Sequence, residues 1–504
     1  MKRTLTLCMA AVLLTASLVA CGGDEGSTVE TAQGTGTAAD TAAATETAEP
    51  EYTPETTDMD GREFYILSKM EVDESGRWTA EDFKIEEADG DTVNDAIYER
   101  NQLLEEEFNC DIVNHFEAMG GLFSYTLYGT ISKLVQSGDT TYDFIMPPIQ
   151  DCAKLAADGM LWDLTMFDTV NLDQPWWNQV FDEAISIGGK SYYANGDISL
   201  TFMRAAYAIL FNKNVLTNYD MESPYQIVTD GKWTIDALMT MARAASEDIN
   251  GNGYMDSEDK VGMAMLYNSG EAFYAATGVK LVTVEDGELT WTGGSEKSIS
   301  VMNKIYDIYD EKDVTLNCDV ASLMDSTYVQ YTNVERGANL FSSDRALFLF
   351  GTMNNVPTMR DMEGDFGILP LPKYDENQER YYSYVHTWSA SAAAIPITAQ
   401  KPEETALFME AAAYYAREII TPAYYETALK TKYARDEESQ AMLDLIYENR
   451  WCDLGNLYNC GEVLTNMTTL VTSGKNTFTS MIASKEKQIA SELEAINTAF
   501  LENE

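Results

Sequence analysis

The residues best spaced for chemistry lie between Asp248 and Asp259, in the run DINGNGYMDSED. Oxygen-bearing side chains stand at positions 1, 3, 5, 9 and 12 of this run, and glycine stands at position 6. An EF-hand loop uses this spacing to wrap Ca²⁺, with the main-chain carbonyl of position 7 as a further ligand. The predicted calcium ligands are therefore Asp248, Asn250, Asn252, Tyr254, Asp256 and Asp259. Asp259 is shorter than the glutamate usual at position 12, and an acidic Asn/Gly turn without metal is the alternative.

Cys21 is the second residue placed for a specific modification. It follows a basic start at Lys2 and Arg3, a short apolar run and the small residue Ala20. The apolar run is too short to span a bilayer and has the placement of an export-signal core. We therefore expect residues 1–20 to be a lipoprotein signal peptide, after which Cys21 carries acyl chains such as palmitate. An ordinary secretory signal with an incidental cysteine is the alternative.

A polar segment over residues 21–57 follows the predicted lipidation site. It consists mainly of Gly, Ala, Thr, Ser and acidic residues, with no Lys or Arg. Such a composition cannot bury enough apolar surface to offset the entropy of ordering, so we expect a disordered acidic stalk. No later stretch is apolar for long enough to be a transmembrane helix. These features predict a protein held by its lipid anchor alone on the extracytoplasmic face of the cell membrane.

The charge balance excludes one class of partner. Asp and Glu number 82 against 33 Lys and Arg, which gives a formal net charge of −49. A chain this acidic repels phosphate backbones, so we expect no nucleic-acid binding. It also repels anionic lipid, so the anchor rather than the protein surface must hold it to the membrane.

Residues typical of catalysis are scarce. His115 and His386 are the two histidines, and neither lies in a recognisable catalytic motif. A pair of glycosidase carboxylates stays open, because the acidic residues are too numerous for any pair to stand out. Cys452 and Cys460 are close enough in sequence for a local disulfide, with buried free thiols as the alternative.

Three tryptophans lie in polar surroundings where core packing does not obviously require them. Trp176 and Trp177 follow Pro175, and Trp388 lies between two short polar runs. A flat indole can stack on the apolar face of a sugar ring, while neighbouring polar side chains fix the hydroxyl groups. Packing in the core or between lobes is the alternative for each tryptophan.

The elements that must position these residues alternate between strands and helices. Short apolar runs predict strands at residues 64–67, 142–146, 205–212 and 346–350. Periodic apolar residues predict helices over residues 92–109, with Thr92 and Asp95 at the start, and over 402–420. This alternation favours an α/β architecture with mostly parallel sheets.

Five short motifs then follow one another along the chain. They are YD with GMLWDL (142–143, 159–164), LFNKNVL (210–216), WTIDAL with VG (233–238, 261–262), FGILPLP (366–372) and PEETA (402–406). In this order they resemble the bacterial extracellular solute-binding proteins of family 1, the maltose-binding type that serves ABC importers. The resemblance covers nearly all of residues 61–504, and some long members of that family carry a similar calcium loop.

The resemblance implies a type II periplasmic-binding-protein fold. In that fold two α/β lobes are joined by crossing strands, with a ligand cleft between them. The first lobe is expected at residues 58–203 plus 388–421, and the second at 204–387 plus 422–504.

The resemblance also implies a function without catalysis. We expect a monomeric solute-binding lipoprotein that captures a carbohydrate, in particular an oligosaccharide, by hinge closure and delivers it to the permease subunits of an ABC importer. A receptor for peptide or another solute with the same fold, and an exported carbohydrate-active enzyme, are the alternatives. Topology gives the candidate ligand-binding residues as Pro148, Gln150, Trp176, Trp177, Asn354, Asn355 and Trp388.

Overall fold

Two separate main sheets carry the fold in the computed structural model. The structure describes residues 52–71, 78–84, 87–121, 124–359, 362–430 and 437–502. The predicted signal peptide, Cys21 and the predicted stalk as far as residue 51 lie outside these described residues.

The chain forms the expected mixture of strands and helices. The strands are β1 (Arg62–Met70), β2 (Cys110–Ala118), β3 (Phe144–Met146), β4 (Tyr207–Asn212), β5 (Val261–Met265), β6 (Val282–Glu285), β7 (Glu288–Trp291), β8 (Thr315–Asn317), β9 (Ala346–Thr352), β10 (Phe366–Leu369), β11 (Ser383–Tyr384) and β12 (Arg450–Trp451). The α-helices are α1 (Thr92–Phe108), α2 (Thr126–Ser137), α3 (Ile149–Ala157), α4 (Gln179–Ile185), α5 (Leu200–Arg204), α6 (Lys213–Asn218), α7 (Pro224–Thr229), α8 (Ile235–Ala244), α9 (Ser269–Ala276), α10 (Glu296–Asp310), α11 (Asn333–Ser342), α12 (Pro402–Tyr415), α13 (Thr421–Lys430), α14 (Glu437–Glu448), α15 (Leu454–Leu457), α16 (Val463–Thr472) and α17 (Phe478–Glu502). Short 3₁₀ segments lie at Leu164–Met166, Ala321–Leu323, Met353–Met359 and Cys460–Glu462, and a π-helical turn lies at Ala416–Ile420.

The first sheet has the order β2-β1-β3 and is parallel throughout. The strand predicted at 64–67 is confirmed as part of β1, where Phe64 is fully buried and stacks on Phe408 of α12 at 4.1 Å between ring centroids. Asp143, just before β3, accepts hydrogen bonds from the Arg62 side chain at 2.9 Å and the Tyr65 amide at 3.0 Å. This carboxylate therefore ties the start of β3 to β1.

The second sheet has the order β10-β4-β9-β5-β8 and is covered on both faces. Along β4, Ile209 and Phe211 contribute to one buried cluster and Ala208 and Leu210 to the other. Successive side chains of a strand point to opposite faces of the sheet. Because both faces are buried here, every residue of β4 faces a core, which explains the continuous apolar run.

The expectation of mostly parallel sheets is confirmed for the fold as a whole, but the second sheet is mixed. Strands β5, β8 and β9 are parallel, but β4 runs antiparallel to both β9 and β10. The parallel strands are linked through helices such as α10 and α11, whereas β4 enters from the side of the first sheet. A helix that links two neighbouring strands of one sheet makes them parallel. Strand β4 is not linked in this way, so its direction is not constrained to be parallel.

Two stretches of chain cross between the sheets side by side. Ala206 pairs with Val385, and the His386 amide donates to the Ala205 carbonyl at 3.1 Å. Residues 391–396 then run antiparallel beside β3, where Ala394 pairs with Ile145. The two lobes are thus joined by hydrogen-bonded strands, and the residue limits given above for each lobe stay a prediction.

The residue that caps the N-terminus of helix α1 lies one position before the residue expected from the sequence. Its N-cap is Asp91, whose carboxylate accepts from the amides of Val93 and Asn94, rather than Thr92. Asp95 instead accepts from the amide of Gly90, so it orders the preceding turn. The carboxylate at 91 satisfies the free amides of the first turn better than the expected hydroxyl.

All five cysteines of the described residues are free and buried, including Cys452 and Cys460. The local disulfide between these two is therefore not formed in this structure. None of the described helices is long and apolar enough to cross a membrane.

Candidate functional site: a cavity between the sheets

A cavity of about 740 Å³ lies where the two sheets face each other. Tyr125, Gln150 and Trp388 line it from the side of the first sheet. Tyr267 and Glu271 are among the residues that line it from the side of the second sheet. A molecule inside would therefore contact both halves of the fold at once.

Gln150 fixes one wall of the cavity through three hydrogen bonds. Its Nε2 donates to the carbonyls of Asn456 and Leu457 at 3.0 and 2.9 Å, and its Oε1 accepts from Thr387 at 2.7 Å. The side chain is buried at the start of α3, directly after Pro148, which caps that helix. Gln150 thus joins α3 to the crossing segment at Thr387 and to α15. These hydrogen bonds fix the position of the Gln150 side chain in the cavity wall.

Aromatic rings form two parts of the cavity wall. Tyr125 is 40% exposed and meets Trp388 edge to face, with 4.8 Å between ring centroids. Tyr384, on the crossing segment, stacks on Tyr207 with an interplanar angle of 18°. Tyr125 and Trp388 thus offer aromatic surface to the cavity, whereas Tyr207 and Tyr384 are 4% and 2% exposed and support the wall from behind.

Polar groups on the opposite wall are held in place by Asp319. Its carboxylate accepts from the Tyr267 amide at 2.6 Å and from the side-chain amide of Asn333. Asn268, at the N-cap of α9, donates to the Tyr207 hydroxyl at 3.0 Å. The corner after β5 and the loop after β8 are therefore joined around one carboxylate.

His386 lines the cavity as a neutral ring. Burial, and next the charge of Lys69, lower the pKa of His386 to about 4. Its Nδ1 lies 2.7 Å from the Ser389 hydroxyl oxygen, so the ring is oriented by the crossing segment. At neutral pH it carries no charge toward a ligand.

A second depression of about 680 Å³ includes Asn214, Asp344 and Glu363 in its lining. Its lining residues belong to the elements around the second sheet alone. A ligand there would not contact both halves of the fold, so the cavity between the sheets is the better candidate.

Comparisons with known proteins bear on the fold. No protein-family model matches the sequence, and no curated protein matches it either. Solved structures do match. The galacto-N-biose/lacto-N-biose I-binding protein of an ABC transporter from Bifidobacterium longum, in complex with lacto-N-biose, has a TM-score of 0.56 at 12% identity, covering 86% of this chain and 97% of that one.

Two further solved structures are similar. A cyclo/maltodextrin-binding protein complexed with maltotetraose has a TM-score of 0.55 at 14% identity, covering 86% of this chain and 97% of that one. An ABC substrate-binding protein from Listeria monocytogenes in complex with cycloalternan has a TM-score of 0.51 at 13% identity, covering 87% and 99%. The chain has the periplasmic-binding-protein fold. The fold class predicted from the sequence is therefore confirmed.

Trp176 and Trp177 do not face the cavity of this binding-protein fold. They are 3% and 2% exposed, and their indole N–H groups donate to the two carboxylate oxygens of Glu410 at 3.0 and 2.8 Å. The main-chain amide of Asn171 donates to the same carboxylate. The structure thus places both indoles in the core beside α12, as the packing alternative expected, and burial against Glu410 is the physical reason.

Asn354 and Asn355 also lie outside the cavity lining. Both are half-buried in the 3₁₀ segment after β9, where Asn355 Oδ1 accepts from Thr352 at 3.1 Å. Of the predicted ligand-binding residues, the structure brings Gln150 and Trp388 to the cavity. Pro148, two residues before Gln150, is buried and does not line the cavity.

Several cavity residues were missed by sequence reasoning. Asn268, Glu271 and Asp319 follow the carboxyl ends of β5 and β8, where ligands of open α/β sheets bind, so that rule could have found them. Tyr125 and Asn459 carry no local signal, because long-range folding alone brings them to the cavity.

The loop predicted to bind calcium is a tight turn ordered by its own side chains. Asp248 accepts from the amides of Gly251 and Gly253 at 2.7 and 3.0 Å, and Asn250 accepts from the Asn252 amide at 3.0 Å. Gly253 has φ +85°, which is the left-handed geometry for which glycine was expected at position 6.

Asp259 closes this loop from position 12. Its two carboxylate oxygens accept from the amides of Ile249 and Asp256, each at 2.9 Å. Among the described residues, no group of three or more His, Cys, Asp or Glu side chains is arranged to hold a metal ion. A calcium site here would therefore depend on the asparagine amides and the Tyr254 carbonyl as well as the aspartates.

Replacement of Glu410 by glutamine tests how the two indoles are held. Burial raises the pKa of Glu410 to about 7, so protonation is favoured in the folded state and this carboxyl stabilises the protein less as pH rises from about 4.5 through 7. We expect the free energy of unfolding of Glu410→Gln, relative to the wild type, to increase between pH 5 and pH 8, by at most about 3 kcal/mol. Urea unfolding measures it, and exposed Glu403→Gln on the same helix is the control. A difference that does not change with pH would contradict this role.

Proposed function

We propose that the protein is an extracytoplasmic solute-binding protein of an ABC importer and captures an oligosaccharide in the cavity between the sheets. The observation that carries this proposal is the lining of one cavity by residues from both halves of a binding-protein fold. The three similar structures described above are of proteins in complex with lacto-N-biose, maltotetraose and cycloalternan. All three ligands are saccharides, which supports the same ligand class here.

The chemistry of the lining supports a carbohydrate. Rings of Tyr125 and Trp388 offer flat apolar faces, and the amide of Asn459 and the hydroxyl of Thr465 offer groups that pair with hydroxyls. The volume of about 740 Å³ lies within the range of small-molecule sites.

Binding would act through the crossing segments. A ligand that contacts Tyr125 on one wall and Tyr267 on the other stabilises the arrangement in which the walls are close. The crossing strands at Ala206 and Val385 are then the elements that bend, since the lobes themselves are packed cores.

We propose that the protein is not an enzyme. The two cavity carboxylates would be the candidate pair for a glycosidase, but both oxygens of Asp319 already accept hydrogen bonds from Tyr267 and Asn333. That carboxylate holds the wall of the cavity by joining two of its loops. Release of product from a bound oligosaccharide would contradict this proposal.

We further propose that Cys21 is the lipid-bearing residue and that the monomeric protein delivers its ligand to permease subunits beside the membrane. The sequence around Cys21 supports the anchor. Labelling of cells with a palmitate analogue tests it, since a wild-type protein that takes up no label, or a Cys21→Ser variant that still does, would contradict it.

We propose a structural calcium ion for the loop from Asp248 to Asp259. The three aspartates of this loop have no ion pair with Lys or Arg in the part of the chain that the structure describes. Asp256 instead receives the side-chain amide of Asn252 at 2.9 Å. Ca²⁺ prefers oxygen ligands, and its charge would offset the mutual repulsion of the three carboxylates.

The calcium proposal predicts a metal-dependent stability. Addition of Ca²⁺ to chelator-treated protein should raise the thermal midpoint, because an ion that binds the folded state alone stabilises it by mass action. The Asp248→Asn variant should lose this shift, while Asp286→Asn, in an exposed turn, should keep it. If chelator leaves the wild-type midpoint unchanged, the loop is a metal-free turn.

The carbohydrate proposal predicts different effects for two tyrosines of similar exposure. Tyr125 lines the cavity and is 40% exposed, whereas Tyr331 is 38% exposed and lies outside its lining. Tyr125→Ala should weaken oligosaccharide binding by about tenfold or more, because a stacking surface is lost. Tyr331→Ala should bind like the wild type. Calorimetric titration with a panel that includes maltotetraose and lacto-N-biose measures both.

Equal affinities of these two variants would contradict the assigned cavity. Failure of the wild type to bind any oligosaccharide, with binding of peptides instead, would favour the peptide-receptor alternative.

A further inference from the structure

Glu271 is the one cavity carboxyl group without a hydrogen bond among the described contacts. It lies in the first turn of α9 and is half-buried against the cavity. Asp319, in contrast, accepts one N–H group on each carboxylate oxygen and thereby joins two loops of the wall. The side chain of Glu271 therefore remains available to a ligand.

The cavity supplies no cation to balance this carboxyl. Neither lysine nor arginine occurs among the lining residues in the described part of the chain. The groups that face Glu271 from the packed elements are the phenols of Tyr207 on β4, Tyr309 on α10 and Tyr384 on β11, together with Asp319 and the neutral His386. Helix α16, which also packs against α9, carries no ionisable residue.

We infer that Glu271 determines the charge class of the ligand, so that the cavity prefers a sugar bearing a protonated amine over its neutral counterpart and rejects sugars bearing carboxylate. The inference rests on the proposed function and names the substrate class of that same cavity. An ammonium group would supply the missing partner of Glu271 with a charge-assisted hydrogen bond. An anionic sugar would lose its hydration beside carboxyl groups with no cation in return.

Burial determines the protonation state of Glu271 in the empty cavity. It raises the pKa of Glu271 to about 8, so the carboxyl is mainly protonated near neutral pH in the empty cavity. A bound ammonium favours the ionised form, and the first turn of a helix stabilises that charge further. Binding of an amino sugar should therefore convert the carboxyl to carboxylate and release its proton to solvent. A neutral sugar should release none.

Sets of sugars that differ at one group test the preference. Titrations use glucosamine, glucose and glucuronate, the corresponding three galactose sugars, and the β-1,4 tetramers of glucosamine and glucose. The amino member of at least one set should bind the wild type about tenfold tighter than its neutral counterpart, and the uronate should bind more weakly than the neutral sugar. In Glu271→Gln the ratio of amino-sugar to neutral-sugar affinity should fall to about one. Exposed Glu379→Gln, which changes net charge equally, should behave as wild type.

Proton release gives a second readout that needs no variant. Calorimetry at pH 6 in two buffers of different ionisation enthalpy should show about one proton released per amino sugar bound and none for the neutral sugar. Neutral sugars that bind without any advantage for an amino member, or a uronate that binds tightest, would overturn the inference and leave the proposed function standing. A wild type that binds no sugar would overturn the proposed function, and the inference with it.

Discussion

The pairing of two crossing segments is the constraint on which the rest of the structure depends. Ala206 pairs with Val385, and His386 donates to Ala205, so the chain leaves the first sheet and returns to it at one place. This pairing sets the two sheets face to face across a cavity. It also places Gln150, Tyr384 and Trp388 on or beside the hinge, where a bound molecule and the hinge act on each other directly.

Carboxyl groups that are wholly or partly buried perform separate tasks in the fold. Glu410 holds two indoles in the core, Asp319 joins two loops of the cavity wall, and Asp143 ties β3 to β1. Each of these three accepts N–H groups from elsewhere in the chain, which offsets part of the cost of its burial. Glu271 differs because its side chain makes no hydrogen bond among the described residues, which leaves it available to a ligand. In a chain with a net charge of −49, the informative acidic residues are thus the few that are wholly or partly buried.

Local patterns predicted the elements well and the site less well. The apolar run of β4 and the periodic face of α1 each follow from neighbours in sequence, so both elements were predicted close to their true limits. The antiparallel direction of β4 was not predicted. It depends on the path of the chain, which enters the second sheet from the first sheet. Trp177 illustrates the same limit at the site: its polar neighbours suggested a ligand surface, but Glu410, distant in sequence, keeps it in the core. Tyr125 shows the converse, since its place in the cavity depends on contacts made by long-range folding.

One molecule bound between the sheets should draw the two halves of the fold together. Small-angle X-ray scattering measures this directly on the protein with and without the oligosaccharide that stabilises it most in a panel containing maltotetraose. We expect a smaller radius of gyration at saturating ligand, with the change abolished or strongly reduced in Tyr125→Ala at the same ligand concentration. Identical scattering profiles with ligand demonstrably bound would contradict closure about the paired crossing segments.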